Sequence, residues 1–193
     1  MKRVICFVFM MCCISILLQA NDDAIFSAIR NREVIIVKDL LVKTKDINRR
    51  NDAGDTILVV ACTRNMDYDI VKLLLDKGAD INARGAEGYT PLMWACRCAE
   101  NLDIVKLLLA KGADINARND IGETVLMAAA CGGNIDIVKY LLDNGADINA
   151  SASCGKTVLM AAAGCGSADV VRLFLDKGVS VNAKTDCGVT ALL

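Results

Sequence analysis

Cysteine is the residue type that gives this 193-residue sequence most of its chemical potential. Ten cysteines are present, seven of them after residue 20, whereas histidine is absent from the whole chain. Without histidine the chain cannot form a Ser-His-Asp triad, a Cys-His dyad or a zinc site that needs an imidazole ligand. The chemistry that remains is that of thiols: disulfides, exposed nucleophiles or the binding of a thiophilic metal.

No other set of side chains has the spacing of a catalytic site. The carboxylates of Asp103 and Asp136 recur at the repeat interval described below, which indicates helix starts and not an acid/base pair. Cys96 and Cys98 are separated by one residue, so they do not form the Cys-x-x-Cys motif of redox proteins. We therefore expect no enzyme activity, no cofactor, no resident metal and no small-molecule substrate.

The charge balance argues against a further class of partner. Lys and Arg number 22 and Asp and Glu number 23, which gives a net charge of −1. Nucleic-acid binding needs a strong basic field, so we expect no nucleic-acid partner. Charged residues make up 23% of the chain, and the only stretch apolar enough to enter a bilayer lies at its start.

The first twenty residues have the order of a secretory signal peptide. Lys2 and Arg3 precede an apolar run over residues 4–18, and polar residues follow Ala20. The run is shorter than the roughly 20 residues that span a bilayer comfortably. We expect cleavage after Ala20 and export of residues 21–193 to the periplasm or the medium, with membrane attachment only if the segment stays uncleaved.

Internal repeats define the elements that hold the cysteines. The phrase Gly-x-Thr-x-Leu begins at positions 54, 88, 122, 155 and 188, in steps of 34, 34, 33 and 33 residues. A second phrase, Asp-Ile-Asn-Ala, begins at 80, 114 and 147 and returns as Ser-Val-Asn-Ala at 180. Fixed periods of this length predict units that bury their apolar faces only by stacking on one another.

Each unit has the pattern of two short helices followed by a polar loop. Thr90 can cap a helix whose first position is Pro91, where a missing N–H costs nothing. A second helix begins near Asp103, carries an apolar face and ends at Gly112, because glycine suits the left-handed conformation at a helix end. The polar stretch 113–122 is expected to form a hairpin-like finger that leads to the next unit.

Together these phrases resemble the ankyrin repeat over about residues 48–193. The resemblance implies an all-α repeat solenoid of stacked helix-turn-helix units with β-hairpin-like finger loops. It divides residues 21–193 into a degenerate cap unit, four full repeats and a truncated repeat: 22–52, 53–86, 87–120, 121–153, 154–186 and 187–193. The cap unit keeps only the second half of the repeat pattern, and we expect its charged residues to face water. Since no polar closing cap follows, we expect a fragment or a truncated reading frame.

The sequence departs from the family pattern at two sets of positions that usually carry hydrogen bonds between loops. The usual histidine is replaced by apolar residues: Val59, Met93, Met127, Met160 and Leu193. The usual finger aspartate is also replaced: Asn51, Gly85, Asn119, Ala152 and Thr185. We therefore expect weaker polar bonding between repeats, with the adaptable methionine side chains packing in its place.

The repeat framework also places the cysteines. Cys62 and Cys96 occupy a small-residue position of the first helix, where we expect buried thiols. The remaining five fall on finger tips or at the ends of first helices: Cys98, Cys131, Cys154, Cys165 and Cys187. An odd total argues against full pairing, so we expect mainly free thiols.

Three of these cysteines leave pairing open. The offset pairs Cys98–Cys131 and Cys131–Cys165 are compatible with a disulfide, which needs Cα atoms within about 7 Å. Cys154 and Cys187 occupy equivalent positions in successive units, which should lie about 10 Å apart, so we expect them not to pair.

The resemblance implies a scaffold that binds a protein partner through the finger tips and the exposed side of the first helices. Tyr89 and Trp94 are expected to contribute most of the binding energy, since aromatic residues dominate interfaces, unless Trp94 serves packing between repeats. The positions that match this surface are Asp52, Glu87, Tyr89, Trp94, Arg97, Asp120, Ile121, Glu123, Ser153, Lys156 and Asp186. The alternative is a thiol- or metal-binding protein with a cysteine-lined concave face.

Overall fold

The computed structural model describes residues 24–63, 67–98 and 102–191, and these form ten helices. The predicted signal segment 1–20 and Leu193 lie outside the described residues. Helix α1 covers residues 24–30, and the others follow in chain order: α2 Val34–Lys43, α3 Ile57–Thr63, α4 Tyr68–Asp76, α5 Pro91–Cys98, α6 Leu102–Ala110, α7 Val125–Gly132, α8 Ile135–Asp143, α9 Val158–Gly164 and α10 Ala168–Asp176.

The first helix of each repeat begins at the predicted threonine cap. The backbone N–H of Met93 donates to Thr90 Oγ1 at 3.3 Å, and Pro91 is the first residue of α5. Thr124 accepts from Met127 N in the same way, also at 3.3 Å. These helices are almost wholly buried because each lies between the first helices of the neighbouring units.

The second helices present only one face to the core. In α6, Ile104, Val105 and Leu108 are buried, whereas Lys106 is exposed. Gly112 ends this helical stretch with a φ of 97°, and Ala113 N donates back to Leu108 O at 3.0 Å. That bond satisfies one carbonyl that the helix end would otherwise leave without a donor.

Stacking in two layers gives the molecule its single continuous core. The first helices pack in the order α3, α5, α7, α9 and the second helices in the order α4, α6, α8, α10, while each pair also packs within its own unit. The predicted all-α repeat solenoid is therefore confirmed.

The fingers close as short antiparallel turns between units. In one of them Asn119 N donates to Glu123 O at 3.0 Å, and Arg118 and Thr124 form an isolated antiparallel bridge. Asn119 Oδ1 also accepts from Glu123 N at 2.9 Å, so the asparagine side chain closes the finger from within. The hairpin-like character predicted for these loops is present.

The N-terminal unit differs from the sequence prediction. It has a first helix as well as a second one, with Phe26 and Ile29 of α1 buried against the core. The charged surface expected on this unit is interrupted by apolar side chains, since Ile35 is 84% exposed and Val42 is 76% exposed. The buried Val37 fixes the inward face of α2, and helical geometry then directs Ile35 and Val42 away from the core.

Polar bonding between repeats is present, so the expectation that methionine packing would take its place is wrong, although the methionines are packed in the core as predicted. Arg84 Nη1 donates to the carbonyl of Arg118 at 2.6 Å, and Arg118 Nη1 donates to the carbonyl of Ser151 at 2.7 Å. Asn82 Oδ1 accepts from Asp114 N at 2.9 Å in a second ladder of this kind. Arginine and asparagine side chains thus span the repeat interfaces without histidine, while Met93 is fully buried in the core.

Candidate protein-binding surface

Five of the predicted contact residues come together where three successive fingers meet the first helix of one unit. We call Tyr89, Trp94, Arg97, Glu123 and Lys156 the finger–helix cluster. Tyr89 follows the finger glycine Gly88, and Trp94 and Arg97 lie one turn apart on α5. The Tyr89 and Trp94 rings are 4.7 Å apart between centroids and tilted by 31°, a geometry in which aromatic rings attract one another.

A chain of polar contacts carries this cluster across three repeats. Arg97 Nη1 lies 3.5 Å from the Tyr89 hydroxyl oxygen, and the hydroxyl donates to Glu123 Oε2 at 2.9 Å. Lys156 Nζ donates to the other carboxylate oxygen, Glu123 Oε1, at 2.8 Å. Because Tyr89, Glu123 and Lys156 occupy the same position in successive fingers, the chain fixes three units relative to one another.

The electrostatics of the cluster favour a charged Glu123 and a neutral Tyr89. Burial by itself would raise the pKa of Glu123. Hydrogen bonds from Lys156, Tyr89 and Asn119, together with the positive charge of Lys156, outweigh the effect of burial. The pKa of Glu123 therefore lies below its usual value. Burial raises the pKa of Tyr89, and its hydrogen bond to Glu123 and the charge of that carboxylate raise it further. At neutral pH the tyrosine is therefore a hydrogen-bond donor to a carboxylate.

Exposure separates the predicted residues into two groups. Tyr89 and Glu123 are only 6% and 8% exposed, so in the unbound chain they position their neighbours instead of offering a contact surface. Trp94 and Lys156 are half-buried. The remaining predicted positions are exposed: Asp52, Glu87, Arg97, Asp120, Ile121, Ser153 and Asp186.

Backbone hydrogen bonds align the finger tips in a row. Asp120 N donates to the carbonyl of Glu87 at 3.0 Å, and Ser153 N donates to the carbonyl of Ile121 at 3.0 Å. Asp120 is also held by an ion pair with Arg84, at 2.6 Å between Nη2 and Oδ1. The sequence analysis missed this arginine, although its recurrence at the same finger position in three repeats was a usable signal.

The indole nitrogen of Trp94 is an unusual feature of the surface. It is buried, and among the described residues none accepts a hydrogen bond from it. Most buried donors in folded proteins have a partner, so this N–H requires an explanation.

One of the two open cysteine pairs is a disulfide. Cys131 at the end of α7 is bonded to Cys165 just after α9, with a Cα–Cα distance of 5.2 Å. The expectation of free thiols is therefore wrong for these two residues. The reason is that neighbouring first helices approach each other closely near their C-terminal ends. A Cβ atom added to Gly132 on α7 would lie 2.8 Å from the carbonyl oxygen of Arg97 on α5, in the preceding repeat. The same close approach one repeat later brings Cys165 against Cys131.

Four other cysteines have the exposure that their positions in the repeats predicted. Cys62 and Cys96 are buried in the core, and burial raises the pKa of Cys62 to about 12. Burial also raises the pKa of Cys96 far above its usual value. Cys154 and Cys187 are exposed and line a cavity of about 480 Å³ beside the last finger. Across residues 24–63, 67–98 and 102–191, no three His, Cys, Asp or Glu side chains form a metal-binding group.

The comparisons with known proteins concern the repeats. A family model described as ankyrin repeats (3 copies) matches residues 25–119 and 116–185. No curated protein matches the chain. Within the part of the chain that the structure describes, none of the helices combines the length and the apolarity needed to cross a membrane.

Proposed function

The chain belongs to the ankyrin repeat family. On this basis we propose that it is a non-catalytic scaffold that binds a protein partner through the finger–helix cluster and the adjoining finger tips. Ankyrin repeats generally mediate protein–protein interaction, and members of the family are typically not enzymes. The partner would lie along the row of fingers and against the exposed side of the first helices.

The observation that carries the proposal is the polar chain from Arg97 through Tyr89 and Glu123 to Lys156. It positions the Tyr89 side chain beside the exposed Arg97 before any partner arrives, and the half-buried Trp94 ring packs against Tyr89. Pre-organised side chains lose less conformational freedom on binding, and Trp, Tyr and Arg are the residues that most often dominate interface energetics. A surface built in this way is suited to be the energetic centre of an interface.

The test compares partner capture by Trp94→Ala with capture by a matched control. Tyr68 is an exposed aromatic residue on α4, outside the finger–helix cluster, so Tyr68→Ala controls for the loss of an accessible ring. We expect Trp94→Ala to weaken binding of the partners that the unmodified chain captures by about thirtyfold, the effect of losing a hot spot of about 2 kcal/mol. Tyr68→Ala should leave this binding unchanged.

Thermal unfolding of both variants completes the test. If Trp94→Ala folds with near-normal stability and loses capture, the binding role stands. If it unfolds the protein, packing between repeats is the role of Trp94. A folded Trp94→Ala variant that captures the same partners as strongly as the unmodified chain would refute the proposed surface.

We further propose that the chain is exported behind residues 1–20, to the periplasm or the medium. The order of basic, apolar and polar residues in this segment supports export, and the Cys131–Cys165 disulfide suits an oxidising compartment. The intact mass of the protein from envelope and medium fractions tests this: a chain that begins at Asn21 supports cleavage. A chain found whole and only in the cytoplasm would refute export, and a whole chain in the membrane fraction would indicate an uncleaved anchor.

A further inference from the structure

We propose that the finger–helix cluster recognises an acidic residue of the partner, whose carboxylate binds between the Arg97 guanidinium and the Trp94 indole N–H. The inference rests on the proposed binding function and adds the chemistry of the partner. It predicts a preference for a partner segment with an acidic residue, which an ankyrin-type binding surface does not by itself imply.

The first observation is an excess of hydrogen-bond donors on one helix face. Arg97 and Trp94 are three residues apart on α5, a spacing that makes side chains neighbours on a helix. A guanidinium has five N–H donors. Among the described residues, the exposed Arg97 guanidinium makes one long contact, at 3.5 Å to the Tyr89 hydroxyl oxygen. The Trp94 N–H has no acceptor among the described residues.

The second observation is that the cluster's own acceptor is already in use. Glu123 receives the Tyr89 hydroxyl and the Asn119 amide at Oε2 and the Lys156 ammonium at Oε1. Asp55, at the same position two fingers earlier, accepts from the backbone N–H of Ala86. No acceptor for the Trp94 N–H therefore lies in this set of side chains, and the exposed Arg97 guanidinium can exchange water for a carboxylate of the partner.

A carboxylate fits these donors better than a neutral carbonyl group. Arginine pairs with a carboxylate through two parallel N–H bonds, and charge-assisted hydrogen bonds of this kind are roughly twice as strong as neutral ones. Such an acceptor could accept from Arg97 through one oxygen and from the indole N–H through the other once the Trp94 ring turns toward the partner. Binding would then satisfy the Trp94 N–H, a buried donor that has no acceptor among the described residues.

The finger tips restrict how many acidic residues the partner can carry. Asp52, Glu87 and Asp186 present exposed carboxylates along the rim. Like charges repel, so a long acidic run lying across the tips would be disfavoured. We therefore expect selectivity for a single acidic residue in an otherwise neutral segment.

Trp94 is the only tryptophan of the chain, so its fluorescence emission reports on this site alone. The probes are capped nine-residue peptides of Gly, Ser and two Leu with one central Glu, and the same peptides with Gln, with Lys or with five Glu. We expect the single-Glu peptide to shift the emission and to bind about tenfold more tightly than the Gln peptide, as loss of a charge-assisted pair implies. The Lys and five-Glu peptides should bind more weakly than the single-Glu peptide.

Two variants assign the preference to the proposed donors. Arg97→Gln should abolish the difference between the Glu and Gln peptides, whereas Arg172→Gln, at an exposed arginine of α10 that pairs with Asp169, should preserve it. Trp94→Phe keeps a ring but loses the N–H, so calorimetry should show severalfold weaker binding of the Glu peptide with no loss of thermal stability.

Equal binding of the Glu and Gln peptides would overturn the inference while leaving the scaffold function intact. A preference for the Lys peptide, or no emission change with any of the four peptides at millimolar concentration, would overturn it as well. The scaffold function itself is decided separately, by the capture experiment with Trp94→Ala.

Discussion

Replacing Cys165 with serine should remove the covalent link between the repeats that contain α7 and α9 and lower the stability of that interface. The cysteines are 34 residues apart in sequence, and cross-linking a loop of that length removes about 12.6 cal/mol/K of chain entropy from the unfolded state. At 25 °C this corresponds to about 3.8 kcal/mol. Cys165 is exposed at the end of α9, so the substitution itself leaves the core packing intact.

Urea unfolding followed by circular dichroism, with and without dithiothreitol, measures the effect. Cys165→Ser should lower the free energy of unfolding of the oxidised protein by about 3–4 kcal/mol, and reductant should bring the unmodified chain to the level of the variant. Cys187→Ser, at an exposed cysteine outside the disulfide, is the matched control and should change nothing. Because stacked repeats are stabilised mainly by their neighbours, hydrogen exchange should show that residues 154–186 lose protection first.

Two results would refute this reasoning. One is equal stability of the oxidised chain and Cys165→Ser. The other is a thiol count of seven on the unreduced, denatured chain after residue 20, because a disulfide takes two of the seven cysteines and leaves five.

Three further predictions concern the core and the polar chain. Glu123→Gln should lower the free energy of unfolding by about 1–3 kcal/mol at pH 7, as loss of a buried hydrogen-bonded charge does. The pKa of Glu123 in the folded chain lies below its ordinary value of 4.5. The stability difference between the two chains should therefore be complete above pH 4.5 and disappear as the pH falls through the folded-state pKa. Gly132→Ala should destabilise the chain by about 1–3 kcal/mol, since the new Cβ would lie 2.6 and 2.8 Å from two carbonyl oxygens of α5. Thermal unfolding measures this, with Gly164→Ala as the control. A Cβ at Gly164 meets nothing within 4 Å, so that variant should be as stable as the unmodified chain or slightly more stable. Cys62 and Cys96 should resist maleimide labelling until the protein unfolds, because their thiols are buried and their pKa values are raised. Labelling of either residue in the native chain at the rate of the exposed Cys154 would contradict this prediction.

Local features of one repeat followed closely from the sequence. The threonine cap at Thr90, the helix start at Pro91 and the stop at Gly112 all depend on residues within a few positions of one another. The period of the phrases then indicated stacking, because a unit this small cannot bury its apolar face alone. The degenerate N-terminal unit lacks the Gly-x-Thr-x-Leu phrase that marks a first helix, and its first helix was therefore missed.

The finger–helix cluster was only partly accessible to sequence reasoning. Position in the repeat identified Tyr89, Trp94, Arg97, Glu123 and Lys156 as candidates. It could not show that Tyr89 and Glu123 are buried and hold the others, because that depends on how far one finger lies from the next. The division of the chain into repeats at the predicted boundaries stays a prediction, as does its export.

The amino-acid sequence alone shows which residues are equivalent from one repeat to the next, since the period is fixed by helix length, caps and turns along a single chain. Which non-equivalent residues meet across a repeat interface depends on the folded structure. The offset between neighbouring helices brings Cys165 to Cys131 and Gly132 to Arg97, and it is set by the packing of side chains from two units at once. That packing has no signature at a fixed spacing, so the disulfide and the unpaired Trp94 N–H became evident only in three dimensions.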